Sequence, residues 1–382
     1  MKVMLCGDHH FDHSSRWAEC LEVHDWIAEC AHANKVDLFV SCGDIYERAS
    51  TPEERLAVSA WLQKIALHCP VLVVKGNHDQ QRDCMLLSRL QSVHPIIVEE
   101  TAAVHYLGRG NDKIAVAAVA WPERARILAH ARDLGTAEAD TVAKDALQSV
   151  LRGLGAELGA FDGARLGVGH FMVDGSVVSM GQPLVGQAMN VGLADLALLN
   201  ADLVVMGHVH KPQEWRHGET EFLYTGSPYR TSYGELEDKS VVLVDYTAKG
   251  ARVHWDRIPT PCSRMLLVDR EWAGDGAWTE ACEVGDVIGA EVRFRYAVEP
   301  DQRDAARAAA AEIKAKLLAA GAIDVQVEEC VRAVTVARAP EVAAARTLPD
   351  KLTALWNARG TMPEDPRRDQ LLDMARQLEQ EA

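Results

Sequence analysis

The sequence has no Cys-x-x-Cys pair, no long apolar run and no excess of positive charge. Its nine cysteines are scattered, a pattern typical of reduced, mostly buried thiols in a cytoplasmic protein. No segment approaches the roughly 18 apolar residues of a membrane span. The apolar stretch at the start is too short for a signal peptide. We therefore expect a cytoplasmic protein that does not enter a membrane.

Basic residues are outnumbered by acidic ones, 40 against 56, which gives a formal net charge of −16. Taken alone, this charge argues against non-specific binding of nucleic acid, which usually requires a basic surface. Bound divalent cations would reverse the sign of the charge at a site. The net charge therefore leaves a nucleic-acid substrate open.

Short runs rich in Val and Leu alternate with amphipathic segments over residues 1–100. "KVMLC", "DLFVSC" and "VLVVKG" have the composition of buried strands, and helical patterns separate them. Further apolar runs indicate strands at 113–121, 164–171, 201–210, 221–227 and 240–246. This order predicts an α/β fold with mostly parallel central strands and helices on the sheet faces.

The chain changes character near residue 260, where a compact strand–helix–strand set begins. We predict a main domain over 1–260, a small α+β domain over 261–342 and a helical tail over 343–382. One face of the tail carries apolar residues at helical spacing, namely Leu371, Met374, Ala375 and Leu378. This face either packs on the chain's own body or binds a partner.

Five apolar runs end in residues that can bind metals. These residues are Asp8 and His10, then Asp44, then Asn77, His78 and Asp79, then His170, and finally His208 and His210. The carboxyl ends of parallel strands in an α/β sheet face one crevice, where ligands bind. Each piece alone is more often an ordinary turn. Together, and in this order, they predict a metal site.

The kinds of side chain indicate the metal and the reaction. Imidazole, carboxylate and amide groups without a thiolate suit borderline divalent ions such as Mn, Fe or Zn. Seven candidate ligands are too many for one tetrahedral ion, but they fit two ions that share a bridging group. Two ions about 3.5–4 Å apart can hold both the attacking and the leaving oxygen of a displacement at phosphorus. The predicted reaction is hydrolysis of a phosphate ester.

The segments "GDHH", "GD", "GNHD", "GH" and "GHVH" resemble the five motifs of the calcineurin-like metallophosphoesterases. "GDIYERASTPEE" (43–54) and the stretch 207–245 resemble the SbcD nuclease family more closely. The resemblance covers about residues 1–260, and the small domain matches that family's capping domain. The chain departs from the family at residues 11–13, where Leu-Gly is common, and at Gln80, where Ser is usual.

This resemblance implies a role for each residue of the site. Two sets of ligands follow, joined by Asp44 as the bridge: Asp8, His10, Asp44 and His210 for one ion, and Asp44, Asn77, His170 and His208 for the other. His78 would contact the scissile phosphate and protonate the leaving oxygen. Asp79 either orients His78 or only shapes the turn. The expected cofactors are two divalent ions, with Mn favoured over Mg, Fe or Zn.

The resemblance also implies an activity and partners. The expected function is a metal-dependent DNA nuclease for DNA end processing and repair, with exonuclease action on duplex ends and endonuclease action on single strands or hairpins. The family forms a dimer bound to an SbcC-like ATPase, and a tail around Leu352, Leu355 and Trp356 and again over 367–379 would dock it. The alternatives are a small-molecule phosphodiesterase or phosphatase of the same fold, and an inactive scaffold. The scaffold is disfavoured because every motif position is filled.

Overall fold

The computed structural model of the chain describes residues 1–109, 112–123, 127–128, 136–179, 182, 189–246, 253–274, 277–279, 286–332 and 339–381. The chain forms two compact units, one of residues 1–269, 282–295 and 312–328, and the other of residues 270–281, 296–311 and 329–382. The site lies in the first unit. The division at residues 260 and 342 stays a prediction.

The first large sheet has six strands. In the order β14-β13-β1-β2-β3-β4, they are His254–Pro259, Ser240–Asp245, Lys2–Cys6, Leu38–Ser41, Val71–Val74 and Ile96–Glu99. β1, β2, β3 and β4 run parallel to one another, and β13 and β14 add an antiparallel edge. The parallel strands are buried on both faces, which explains their continuous apolar sequences.

The second large sheet also has six strands. In the order β11-β12-β10-β7-β6-β5, they are Gln213–His217, Thr220–Tyr224, Leu203–Gly207, Ala164–His170, Asp112–Val119 and Ala102–Arg109. β12, β10, β7 and β6 are parallel, whereas β11 and β5 pair antiparallel at the two edges. The predicted α/β class is therefore confirmed, and its strands are divided over two sheets.

The two sheets pack face to face through an apolar core. One set of side chains comes from the first sheet and includes Val3, Val40 and Leu72, and the opposing set includes Val116 and Val205. All five side chains are fully buried. This packing brings the ends of strands from both sheets close enough to build one site.

Helices cover the outer face of each sheet. The helices α1 (Trp17–Ala33) and α2 (Pro52–Ala66) pack on the first sheet. On the second sheet lie α4 (Thr136–Gly159), α5 (Leu193–Leu196) and a short 3₁₀ helix, Ala197–Leu199. α3 (Gln81–Leu87) follows the loop after β3. A two-stranded pair of β8 (Met172–Val173) and β9 (Asn190–Val191) completes this part of the fold.

The rest of the chain contains a small sheet and further helices. The sheet has the order β16-β15-β17-β18, with the strands Ala277–Trp278, Arg264–Gly274, Ala290–Val298 and Asp324–Val331. The helix α6 (Arg303–Ala319) precedes β18. The tail forms α7 (Pro340–Ala344), α8 (Leu348–Arg359) and α9 (Asp365–Glu381). Among the residues described, no helix has the length and apolar character needed to span a bilayer.

Candidate metal centre

The predicted ligands follow the carboxyl ends of five strands from the two large sheets. Asp8, Asp44 and Asn77 lie in the loops after β1, β2 and β3, whereas His170 ends β7 and His208 follows β10. The two groups meet, since Nε2 of His170 lies 3.2 Å from Oδ2 of Asp44. The structure therefore brings together residues that are far apart in the sequence.

One cluster contains Asp8, His10 and His210, whose candidate ligand atoms all lie within 4.8 Å of one another. The Nε2 atoms of His10 and His210 face each other at 2.9 Å. Oδ1 of Asp8 accepts a hydrogen bond from the backbone N–H of His208 at 2.7 Å. Oδ2 of Asp8 is buried and has no hydrogen-bond partner among the described residues. This cluster contains three of the four side chains expected at the first metal position.

A second cluster contains Asp44, His170 and His208. Oδ1 of Asn77 lies 3.0 Å from Nε2 of His170 and 2.9 Å from Nδ1 of His208. Asp44 lies between the clusters, because its Oδ2 is 3.2 Å from Nε2 of His170 and 3.9 Å from Nε2 of His10. This is the position that a bridging carboxylate requires.

The hydrogen-bonding groups of the two clusters fit cations. Nδ1 of His170 donates to the carbonyl oxygen of Cys42 at 2.7 Å, which leaves Nε2 facing two acceptor oxygens, those of Asp44 and Asn77. The buried Oδ2 of Asp8 also lacks a donor among the described residues. A cation bonded to these nitrogen and oxygen atoms would satisfy them, and this mixture without thiolate suits borderline divalent ions. The residues present therefore fit two divalent metal ions.

Charges within the site shift several pKa values. Burial disfavours a proton on His170, but the Asp44 carboxylate outweighs burial and raises the pKa of this imidazole to about 9. Burial likewise opposes a charge on His10, and Glu47 raises its pKa to about 9. Burial and the charge of His170 lower the pKa of His208 to about 3. Cation binding at these imidazoles would therefore displace protons.

His78 lies beside both clusters with one ring nitrogen already engaged. Its backbone N–H donates to Oδ1 of Asp44 at 2.9 Å, and its Nδ1 donates to the carbonyl oxygen of Glu47 at 2.5 Å. Nε2 is therefore the nitrogen left for proton transfer. Asp79 accepts hydrogen bonds from the backbone N–H groups of Ile45, Tyr46 and Gly76 at 2.9–3.1 Å. Its carboxylate holds the turn, which is the structural role.

Left-handed backbone conformations are concentrated at the predicted ligands. Seven described residues other than glycine have positive φ, and four of them are Asp8, His10, Asp44 and His208. Such conformations cost about 1–3 kcal/mol each and are typical of functional sites. A β-carbon on Gly76 would lie 2.1 Å from Oδ1 of Asp44, so this position requires glycine.

A cavity of about 270 Å³ opens onto the site. Its lining includes five predicted site residues: His10, Asp44, His78, His208 and His210. It also includes residues that the sequence reasoning did not assign, among them Glu47, Gln182, Tyr229 and Glu235. The hydroxyl of Tyr229 donates to the carbonyl oxygen of His10 at 2.8 Å, and Nε2 of Gln182 donates to that of His208 at 2.6 Å.

The missed residues gave little signal in the sequence. Glu47 and Glu235 lie inside segments that carry the family resemblance, but no spacing rule connects either with the histidine it faces. His9 and His24 are not part of the cavity lining. Their rings are buried and face each other, with Nδ1 of His9 lying 3.0 Å from Nε2 of His24. They belong to the packing behind the site.

Comparisons with known proteins identify the family. The family model described as calcineurin-like phosphoesterase matches residues 1–128. The SbcD component of nuclease SbcCD from Bacillus subtilis (strain 168) is 24% identical over 286 residues, which are 70% of this chain and 71% of that protein. The solved structures that match include a dimetal phosphatase from Danio rerio, with 13% identity, a TM-score of 0.41 and coverage of 68% of this chain and 98% of that one. GAP50, the anchor in the inner membrane complex of Plasmodium, is 14% identical with a TM-score of 0.42, over 68% of this chain and 89% of that one.

Proposed function

We propose that this chain, a metal-dependent phosphodiesterase of the SbcD type among the calcineurin-like metallophosphoesterases, is the nuclease component of a DNA-processing complex. It would act as an exonuclease on duplex ends and as an endonuclease on single strands and hairpins, in DNA end processing and repair. The observation that carries the proposal is Asp44 between two clusters of ligands, with His78 beside them at a cavity.

The proposed roles follow from the side-chain chemistry. Two divalent ions, when bound, would supply an activated water and a polarised phosphate. One ion would be held by Asp8, His10, Asp44 and His210, and the other by Asp44, Asn77, His170 and His208. With Nδ1 of His78 fixed by the carbonyl oxygen of Glu47, Nε2 is free to donate a proton to the leaving oxygen. Mn is the proposed metal.

The relative from B. subtilis supports DNA as the substrate and an ATPase as the partner, since its name is that of one component of a nuclease complex. The net charge of −16 favours a partner that contributes basic surface. The tail helices α8 and α9 are the proposed docking segment, because Met374 and Leu378 on α9 are each 57% exposed. A homodimer within a heterotetramer and a cytoplasmic location complete the proposal. The described cysteines, which are all free, support that location.

The test compares Asp44→Asn and His78→Gln with the wild-type protein on end-labelled duplex DNA and hairpin DNA in Mn²⁺. We expect His78→Gln to lower the cleavage rate by about 10²–10⁴-fold, the usual contribution of a general acid, while bound Mn per chain stays at the wild-type level. Asp44→Asn should lose both cleavage and metal. His217→Gln, which changes an exposed histidine on β11, is the matched control and should behave as wild type.

Other substrates separate the alternatives. Hydrolysis of a cyclic nucleotide or an aryl phosphodiester, with DNA left intact both alone and with the ATPase, would overturn the nuclease proposal in favour of a small-molecule phosphodiesterase. Absence of both bound Mn and activity would indicate an inactive scaffold.

A further inference from the structure

A buried network of charges lies directly behind His210. The side chain of Lys239 is fully buried and that of Glu235 is 1% exposed. Nζ of Lys239 lies 2.6 Å from Oε2 of Glu235 and 2.9 Å from Oε1 of Glu237. Nζ also donates to the hydroxyl of Ser227 at 2.8 Å. Buried charges are costly unless they are paired and hydrogen-bonded, and here each one is.

Glu235 connects this network to the metal centre. Its Oε1 accepts a hydrogen bond from Nδ1 of His210 at 3.2 Å and another from the hydroxyl of Thr231 at 2.7 Å. With the proton held on Nδ1, the lone pair of His210 lies on Nε2, the atom that faces His10 in the first cluster. A carboxylate in this position fixes the tautomer and the ring orientation of a ligating histidine, and it makes the imidazole a stronger donor to metal.

The two metal positions differ in what lies behind their histidines. In the first cluster His10 has its Nδ1 only 2.7 Å from Oε2 of Glu47, so both imidazoles there face a carboxylate. In the second cluster Nδ1 of His170 donates to the backbone carbonyl of Cys42, and Nδ1 of His208 faces the amide oxygen of Asn77. Neutral oxygens increase the donor strength of an imidazole less than a carboxylate does.

We propose that Glu235, held by Lys239, is a positioning residue that makes the Asp8–His10–His210 cluster the tighter of the two metal positions. This inference rests on the proposed function only in requiring that two divalent ions bind. It goes beyond that function by assigning an order of binding and a residue that sets it. Lys239 keeps Glu235 ionised and in place, and Glu237 shares the lysine without contacting His210.

The experiment titrates Mn²⁺ into metal-free wild-type protein and follows it by electron paramagnetic resonance and calorimetry. In the wild type we expect one ion to bind more tightly, so that the first equivalent gives the spectrum of isolated Mn²⁺ before that of a coupled pair appears. In Glu235→Gln, which keeps the shape of the side chain, the tighter ion should lose about 10–100-fold in affinity, the usual effect of removing such a partner. The affinity of the second ion should not change.

Glu237→Gln is the matched control, because it removes the other carboxylate from the same lysine and should leave both affinities unchanged. Thr231→Val removes one hydrogen bond to Glu235 without a change of charge, and it should weaken the same ion by a smaller factor. Circular dichroism of the metal-free variants verifies that each one folds. If Glu235→Gln does not fold, the Thr231→Val titration and the wild-type order of binding decide the question.

Wild-type affinities in Glu235→Gln, or equal losses in Glu235→Gln and Glu237→Gln, would overturn this inference. Two ions that bind the wild type with one common affinity would also overturn it. Its failure differs from that of the nuclease proposal. A protein that binds Mn²⁺ in the expected order but leaves DNA intact would refute the nuclease alone, whereas a protein that binds no Mn²⁺ would refute both.

Discussion

Single residues around the metal centre trade conformational ease for a precise position. Asp8 and Asp44 have left-handed backbone, and they are held there by hydrogen bonds from Asp8 N to Gly43 O at 2.9 Å and from His10 N to Asp44 O at 3.0 Å. These bonds join the loops after β1 and β2. The same two loops rest on buried rings, since Nε2 of His9 lies 3.0 Å from Oγ of Ser41. The packing behind the site therefore determines where the ligands lie.

His24, in that packing, predicts a dependence of stability on pH. Burial lowers its pKa to about 4 in the folded chain, against about 6.5 for an unfolded histidine. Above about pH 6.5 both states hold the neutral ring, so stability is complete there. As the pH falls towards 4, only the unfolded state gains the proton, and the free energy of unfolding drops by up to about 3 kcal/mol.

Urea unfolding of the wild type and of His24→Gln between pH 7 and pH 4 measures this contribution. The free-energy difference between the two proteins should shrink as the pH falls, because the variant lacks the titrating ring. The carboxylates titrate in both proteins and cancel in the difference. A difference that is constant over this range would contradict the prediction.

At the scale of elements, apolar continuity decided which strands were recognisable from the sequence. Buried strands such as Val71–Val74 and Leu203–Gly207 are uninterrupted apolar runs and match the predicted strands. The edge strand His254–Pro259 mixes exposed and half-buried residues, so its sequence has no clear period and was not predicted. The helices at 17–33, 52–66 and 136–159 agree with the predicted segments.

Two glycines on α4 provide a test of helix packing. A β-carbon on Gly155 would lie 1.9 Å from the carbonyl oxygen of Leu198, whereas one on Gly153 would meet nothing within 4 Å. Gly153→Ala should therefore stabilise the protein by about 0.5–1 kcal/mol, since alanine favours the helix. Gly155→Ala should destabilise it by about 1–3 kcal/mol, because α4 must move away from the 3₁₀ helix. Thermal unfolding of the pair measures both effects, and equal shifts would refute this contact.

At the scale of the whole molecule, divalent cations should stabilise the fold. The net charge is −16, and the site collects carboxylates and imidazoles whose atoms lack enough donors among the described residues. An ion that binds only the folded state, at about 100 times its dissociation constant, adds about 2.7 kcal/mol per site. Thermal unfolding in Mn²⁺ should thus occur at a higher temperature than in a chelator, and Asp44→Asn should lose most of the difference. An identical midpoint in both conditions would contradict a metal centre in the fold.

The sequence by itself determined the α/β class, the confirmed family resemblance and the residues that follow each buried strand. These are local properties, because an apolar run, a glycine and the next few side chains are neighbours along the chain. Only the tertiary structure decided that the strands form two sheets and that His10 faces His210, which is 200 residues away. It also decided that Glu235, Glu47 and the carbonyl of Cys42 lie behind particular histidines. Such contacts depend on how distant segments pack, and no local pattern of residues encodes them.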